Sequence, residues 1–271
     1  MGMMMRRIIF TLGVMALLAG CSSNKLPSDL DADERMKAAV EFFEKGKYFD
    51  AKTQFRILTL SYGGTTVADK AQFYLAECHF NLKEYILSAA EYERLIKLYP
   101  SSQYVDDAKY KLGLSYFELS PKYSLDQEYT QLAIQHFQEF LEEYHNSDLV
   151  SQVEKMLLET RNKLAHKKYS SAEQYRKMGE YRAAIIYYNM VLSDYYDTEY
   201  AAKAQYYVGE CYRKQKEYSD SVREFALFID KYPKHEWFPD AQEKLKQVER
   251  ELQEAKEEQE TVTVQEKLVE K

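Results

Sequence analysis

The chain holds 271 residues, 45% of them hydrophobic and 30% charged, which supplies a sizeable core and excludes a mere disordered tail. Nine glycines and five prolines beside 25 tyrosines read as a mostly helical protein and argue against an all-β sandwich or barrel. Net charge is −7 and no Lys/Arg block follows one helical face, so the basic footprint required by a phosphate backbone is missing and no nucleic-acid partner is expected.

Chain order begins with Arg6 and Arg7, followed by an apolar run from Ile8 to Ala19. A transmembrane helix needs about 20 apolar residues, so this shorter run reads as the core of a secretory signal peptide. It ends in Leu17-Leu18-Ala19-Gly20-Cys21, which resembles the bacterial lipoprotein signal: residues 1–20 are cleaved and Cys21 carries the lipid, palmitate included. Without Arg6 and Arg7 the chain has 35 basic against 44 acidic residues, so acyl chains, each contributing about 0.8 kcal/mol per buried methylene, must hold it to a membrane. Residues 21–31, small, polar and broken by Pro27, form a flexible tether.

Beyond the tether a pattern returns every 37 residues, the signature of a repeat architecture. The first copy has Ala38-Ala39, Phe42, Tyr48, Ala51, Phe55 and Leu58, closed by Gly63-Gly64. The second has Leu75-Ala76, His79-Phe80, Tyr85, Ser88, Tyr92 and Leu95, closed by Tyr99-Pro100. In the third, Leu112-Gly113 and Tyr116-Phe117 open normally, but Ala133 follows Gly113 by 20 positions, which places an eight-residue insertion at 120–127. The fourth is entered by an unusually long helix from Asp148 to Met178 and continues with Ala172, Tyr175, Tyr181, Ala184, Tyr188 and Val191. The fifth has Val208-Gly209, Tyr212, Tyr218, Ser221, Phe225, Phe228 and Tyr232-Pro233.

A small residue on each first helix precedes one on the second by 12 positions in four copies: Ala39 to Ala51, Ala76 to Ser88, Ala172 to Ala184 and Gly209 to Ser221. That spacing lets two antiparallel helices approach closely. The pattern resembles the tetratricopeptide repeat (TPR), an all-α solenoid of helical hairpins: five repeats and about ten helices, closed by an amphipathic capping helix carrying Ala241, Leu245, Val248 and Leu252. Two arms are expected, 32–147 with repeats one to three and 148–253 with the long helix, repeats four and five and the cap. Residues 254–271 form a charged tail expected to fray.

Helix A positions face the concave side of such arrays, which here means Met36, Val40 and Phe43, then Phe73, Glu77 and Phe80, then Tyr110, Leu114 and Phe117. An aromatic-lined groove for an extended chain follows, with the competing reading that individual rings pack between helices. Val40 and Phe43 stand where a carboxylate-clamping repeat places Lys and Asn, so an acidic C-terminal peptide is not the expected ligand. Lys203 and Arg213 are candidates for docking a partner on the far arm.

No catalytic residue, metal or cofactor is expected, and the chain does not read as an enzyme. His79, His136, His145, His166 and His235 are scattered, and the neighbours Cys78 and His79 point about 100° apart on a helix, so they cannot act as nucleophile and base. Cys78 and Cys211 fall at equivalent repeat positions that suit small buried thiols. Three cysteines this far apart make neither a disulfide framework nor a zinc site.

A lipoprotein signal, a short tether and five TPR units, with an insertion in the third and a long helix entering the fourth, resemble the BamD family of the outer-membrane β-barrel assembly machinery. The most specific stretches are Asp126-Gln127, Arg161-Asn162-Lys163-Leu164-Ala165, and Tyr175 through Ala184 with its Tyr-x-Lys-x-Gly-x-Tyr-x-Ala-Ala phrase. The resemblance implies a lipid-anchored protein on the periplasmic face of the outer membrane. Its implied partners are a BamA-like barrel subunit, bound through POTRA domains, unfolded outer-membrane protein clients and other assembly lipoproteins. Gly63, His145 and Tyr196 stand where the repeat pattern ends in proline. The rival readings are a TPR lipoprotein coordinating peptidoglycan or division machinery, and a lipid-anchored enzyme.

Overall fold

The computed structural model describes residues 27 and 29–269. The signal peptide, Cys21 and most of the tether lie outside those residues. Among the described residues ten helices pair into five hairpins: α1 (Ala32–Glu44) with α2 (Tyr48–Ser61), α3 (Ala68–Asn81) with α4 (Tyr85–Leu98), α5 (Val105–Leu119) with α6 (Glu128–Glu143), α7 (Val150–Lys177) with α8 (Tyr181–Asp194), and α9 (Glu199–Lys214) with α10 (Tyr218–Lys231). An eleventh, α11 (Phe238–Val269), packs on α10 and closes the array.

Local chemistry sets the boundaries. Asp31 caps α1 by accepting from the backbone N–H of Glu34 at 2.8 Å. Hairpins one and four turn through Gly46 and Gly179 at φ +70° and +81°, and hairpins two and five place Lys83 and Lys216 at the same position with φ +61° and +63°. Glycine enters that left-handed region without steric cost, whereas a lysine held there carries about 1 kcal/mol of backbone strain.

The small residues at 12-residue spacing are the helix crossings. Ala39, Ala51, Ala76, Ser88, Ala172, Ala184 and Ser221 are all fully buried. One ring per hairpin fills the crossing from the second helix, Phe55, Tyr92, Phe137, Tyr188 and Phe225 in turn, each without exposed surface. A methyl group on Gly113 would stand 2.6 Å from the Phe137 ring, and one on Gly209 would stand 3.0 Å from Phe225. Ser221 Oγ donates to the Gly209 carbonyl at 2.8 Å across the same gap.

Residues 120–127 fall between α5 and α6, where the insertion was placed, and they are docked rather than loose. The buried Gln127 side chain donates to the carbonyls of Lys122, Leu125 and Asp126 at 2.9, 3.0 and 3.0 Å. From α7, Lys163 Nζ reaches the Ser120 carbonyl at 2.9 Å and Lys167 Nζ the Leu125 carbonyl at 2.6 Å. Tyr123 lies against His166, 3.8 Å between ring centroids, and His166 stacks on Tyr200 of α9 at 5.0 Å.

The 28 residues of α7 serve both arms. Val153 belongs to the core of the third hairpin, with Met156 and Leu157 packed against it, while Ala165 and Ala172 belong to the core of the fourth. Arg161 then ties α7 to the α8–α9 turn, its guanidinium meeting Asp197 at 2.6 and 2.8 Å and the Asp194 carbonyl at 2.9 Å. The closing helix runs past the expected boundary at 253, through the charged segment to Val269. Side chains bond along it, Gln253 Nε2 donating to the Glu257 carboxylate at 2.8 Å and Thr261 Oγ1 to the Glu257 carbonyl at 2.7 Å, and no glycine or proline follows Pro239 to stop it.

Candidate binding surface

Helices α1, α3, α5, α7 and α9 form the inner rank of the array, with α1 on α3, α5 on α7 and α7 on α9. The predicted groove residues divide on this face. Met36 and Tyr110 are corrections: each is 5% exposed and sits in the core. Spacing alone could not separate them from groove positions, because the inner edge of the core and the groove lining share one helical face. Leu114 is half-buried against the core of the third hairpin.

The remaining rings are half-buried and make specific contacts. Phe43 meets Tyr48 and Tyr74 edge-on at 5.3 and 5.1 Å, and Phe73 stacks on Tyr104 at 4.9 Å. Phe80 meets Tyr85 edge-on at 5.3 Å and lies under Lys111 Nζ at 5.0 Å. Phe117 lies under Lys163 Nζ at 5.6 Å; burial pushes that ammonium's pKa down from its usual value. Neither contact was legible in the sequence, since each cation reaches its ring from the next repeat and no local motif marks the pairing.

Glu77 sits at the centre of the second repeat's inner face. It accepts the hydroxyl of Tyr92 and pairs with Lys111 at 3.0 Å. Burial, and then the Glu77 charge, push the Tyr92 phenol well above its ordinary pKa, so it remains a donor. The fourth repeat copies the device: Glu173 accepts the hydroxyl of Tyr188 and pairs with Arg176 at 2.8 Å. Burial pushes the Glu173 carboxyl up, but hydrogen bonds from Arg176 and Tyr188 outweigh it and its pKa falls below the ordinary value.

On the far arm, Arg213 is committed within the chain, its guanidinium bonded to Glu251 of α11 at 2.7 and 3.0 Å. Sequence reasoning missed this pair because it depends on where the capping helix lies. Lys203 is half-buried, 5.2 Å from the Tyr200 ring and 3.9 Å from Glu199. Cys78 and Cys211 are buried free thiols, each pushed up to about 12 by burial, and so are not nucleophiles near neutrality. His79 is buried, its Nδ1 2.6 Å from a Glu84 oxygen. Burial lowers its pKa against the raising effect of Glu84.

The model of a family described as outer membrane lipoprotein, YfiO, matches residues 28–217, which spans the inner face of both arms. The chain belongs to this family. A second match, to the prokaryotic membrane lipoprotein lipid attachment site, covers residues 5–22 and so includes Cys21, and a tetratricopeptide repeat model matches 203–235. The protein is thus a lipid-anchored outer-membrane lipoprotein built as a TPR solenoid. Among relatives, it is 23% identical over 201 residues to the outer membrane protein assembly factor BamD of Vibrio cholerae, covering 70% of this chain and 83% of that protein. The Caulobacter vibrioides protein of the same name is 22% identical over 196 residues, 70% of this chain and 64% of that one. Among solved structures, the TPR2AB domain of yeast Sti1 in its pHSP90 complex aligns at TM-score 0.42 and 14% identity, over 82% of this chain and 84% of that one.

Proposed function

We propose that this protein is the TPR scaffold of the outer-membrane β-barrel assembly complex, holding the barrel subunit and unfolded outer-membrane protein clients beside the membrane. The observation that carries the reading is the outer-membrane lipoprotein family match across 28–217 together with relatives that are assembly factors. Geometry supports a division of labour. The half-buried rings Phe43, Phe73, Phe80 and Phe117 line the inner face of the first three repeats, and aromatic surfaces suit clients that carry alternating aromatic residues. The far arm, with Lys203, then docks the barrel subunit through its POTRA domains.

Affinity purification of the tagged protein from membranes tests the scaffold. Recovery of a large barrel with POTRA domains supports it, whereas cell-wall synthases or division proteins in its place would favour the rival scaffold. Phe73→Ala with Phe80→Ala should weaken crosslinking to an aromatic C-terminal peptide of a barrel protein and leave the complex assembled. Lys203→Glu should do the reverse. Arg213 is the poorer probe, because reversing its charge also breaks the contact with Glu251.

A further inference from the structure

The two edges of the N-terminal arm differ in charge. Every turn from a first helix to its second in repeats one, two, four and five carries lysine and glutamate: Glu44, Lys45 and Lys47, then Lys83 and Glu84, then Lys177 and Glu180, then Lys214, Lys216 and Glu217. The opposite edge, where α2 turns into α3 and α4 into α5, has no ionisable acid or base over residues 57–68 and 98–105 apart from tyrosine hydroxyls. These are long neutral runs for a chain that is 30% charged. They carry glycine, threonine, serine and Tyr62, Tyr99 and Tyr104, with Leu60 and Leu98 exposed by 75% and 58%. The Tyr99 hydroxyl donates to the Gly63 carbonyl at 3.3 Å, joining the two turns into one surface. The later turns on the same edge regain charge, Asp148 in the third, Asp197 and Glu199 in the fourth, Lys234 and Glu236 in the fifth.

The neutral part is also where the tether leaves. Tyr62 Oη donates to the Leu30 carbonyl at 3.2 Å and the buried Arg35 guanidinium to the Pro27 carbonyl at 3.4 Å, so the chain exits beside the α2–α3 turn. Pro27 lies six residue steps from Cys21, a reach of at most about 21 Å even when fully extended. The charged edge lies the length of α1 further off, about 20 Å.

We propose that this neutral turn edge lies against the lipid surface in which Cys21 is anchored, with Leu60 and Leu98 entering the headgroup layer and the tyrosines at its boundary. Exposed leucine beside amphipathic tyrosine is the composition that an interfacial surface favours. The flanking charges are of both signs: Asp31, Asp33, Glu34 and Asp69, which accepts from Ser102 Oγ at 2.7 Å, stand beside Arg56, Lys70 and Lys97. Neither sign dominates this rim, so the surface fits a zwitterionic leaflet, whose headgroups offer both charges. The inference rests on the lipid-anchor reading and orients the protein on its membrane.

Nitroxide labels test it in the full-length lipidated protein on phosphatidylethanolamine–phosphatidylcholine vesicles. Leu60→Cys and Leu98→Cys supply the sites, Lys45→Cys on the charged edge is the control, and the buried Cys78 and Cys211 thiols do not label. Accessibility to a water-soluble nickel chelate should fall several-fold at 60 and 98 when vesicles are added and stay constant at 45. If the protein sediments with vesicles while 60 and 98 remain as accessible as in solution, or 45 is protected instead, the orientation is wrong although the anchor holds. A protein that fails to sediment overturns the anchor and the orientation with it. Leu60→Asp with Leu98→Asp, both on the surface, should keep sedimentation and release a label at Thr66→Cys; continued protection there also overturns the proposal.

Discussion

The second and fifth hairpins repeat one set of contacts and part at one oxygen. Gln72 Nε2 donates to the carbonyl and carboxylate of Glu91 at 2.9 and 2.8 Å, and Gln205 Nε2 to those of Glu224 at 3.3 and 2.7 Å. Each hairpin buries a thiol at the same position, Cys78 and Cys211. On the inner face, however, Glu77 receives the Tyr92 hydroxyl, whereas Glu210 faces a repeat whose equivalent ring is Phe225. Glu210 Oε1 is buried with no hydrogen-bond partner among the described residues, the nearest cation being Lys244 Nζ at 3.9 Å. The other hairpins show the rule that the fifth breaks. Glu173 goes with Tyr188 in the fourth, and Val40 and Leu114 go with Phe55 and Phe137 in the first and third. Packing demands a ring at the crossing in every hairpin, while the hydroxyl follows the acid.

If the crossing is what the hairpins share, filling it should be the most damaging change. Ala184 is fully buried at the fourth crossing, and Ala184→Trp should cost about 3 kcal/mol or more by overpacking, enough to melt the far arm. An unchanged thermal midpoint would reject the crossing register. Glycine crossings come next. Gly113→Ala puts a methyl 2.6 Å from Phe137 and Gly209→Ala one 3.0 Å from Phe225, so both should destabilise, the first by about 1–3 kcal/mol and the second by less. Urea unfolding of the two variants would break the comparison if their order were reversed.

These crossings were legible in the sequence because a 12-residue interval between small residues survives in four of five hairpins, and in the other the same glycine and alanine reveal the insertion. The neutral and charged turns were equally present as residue types, but which turns share an edge requires the hairpins to be folded. Met36 and Tyr110 were misread for a related reason. Helix spacing assigns a face, and the boundary between core and groove within that face is set by the neighbouring repeat. Contacts such as Lys111 with Phe80, or Arg213 with Glu251, join residues about one repeat apart, and their partners emerge only once the stacking is known.

Removing the hydroxyl from a hairpin that has both parts of the polar pair should have a moderate effect. Tyr92→Phe leaves the buried ring in place and takes the donor from Glu77, which keeps Lys111. A loss of about 1–2 kcal/mol is expected, the cost of a buried carboxylate deprived of one hydrogen bond. Tyr188→Phe should match it, because Glu173 likewise keeps Arg176. A loss confined to one of the two in denaturant titrations would show that the inner-face pairs are not equivalent.

The smallest expected change is also the sharpest, because it adds a group instead of deleting one. Phe225 occupies the ring position of Tyr92 and Tyr188, packed against Gly209 and edge-on to Tyr206 at 5.4 Å. A hydroxyl added there points where the other two meet their glutamates, toward the Glu210 oxygen that lacks a partner. Phe225→Tyr should therefore stabilise the protein by about 0.5–1.5 kcal/mol, the net worth of one buried hydrogen bond. The same substitution in a Glu210→Ala background should give no gain, and the difference between the two backgrounds isolates the pair. An equal gain in both would mean that the hydroxyl has another partner; a loss in both would mean that the fifth crossing cannot admit it.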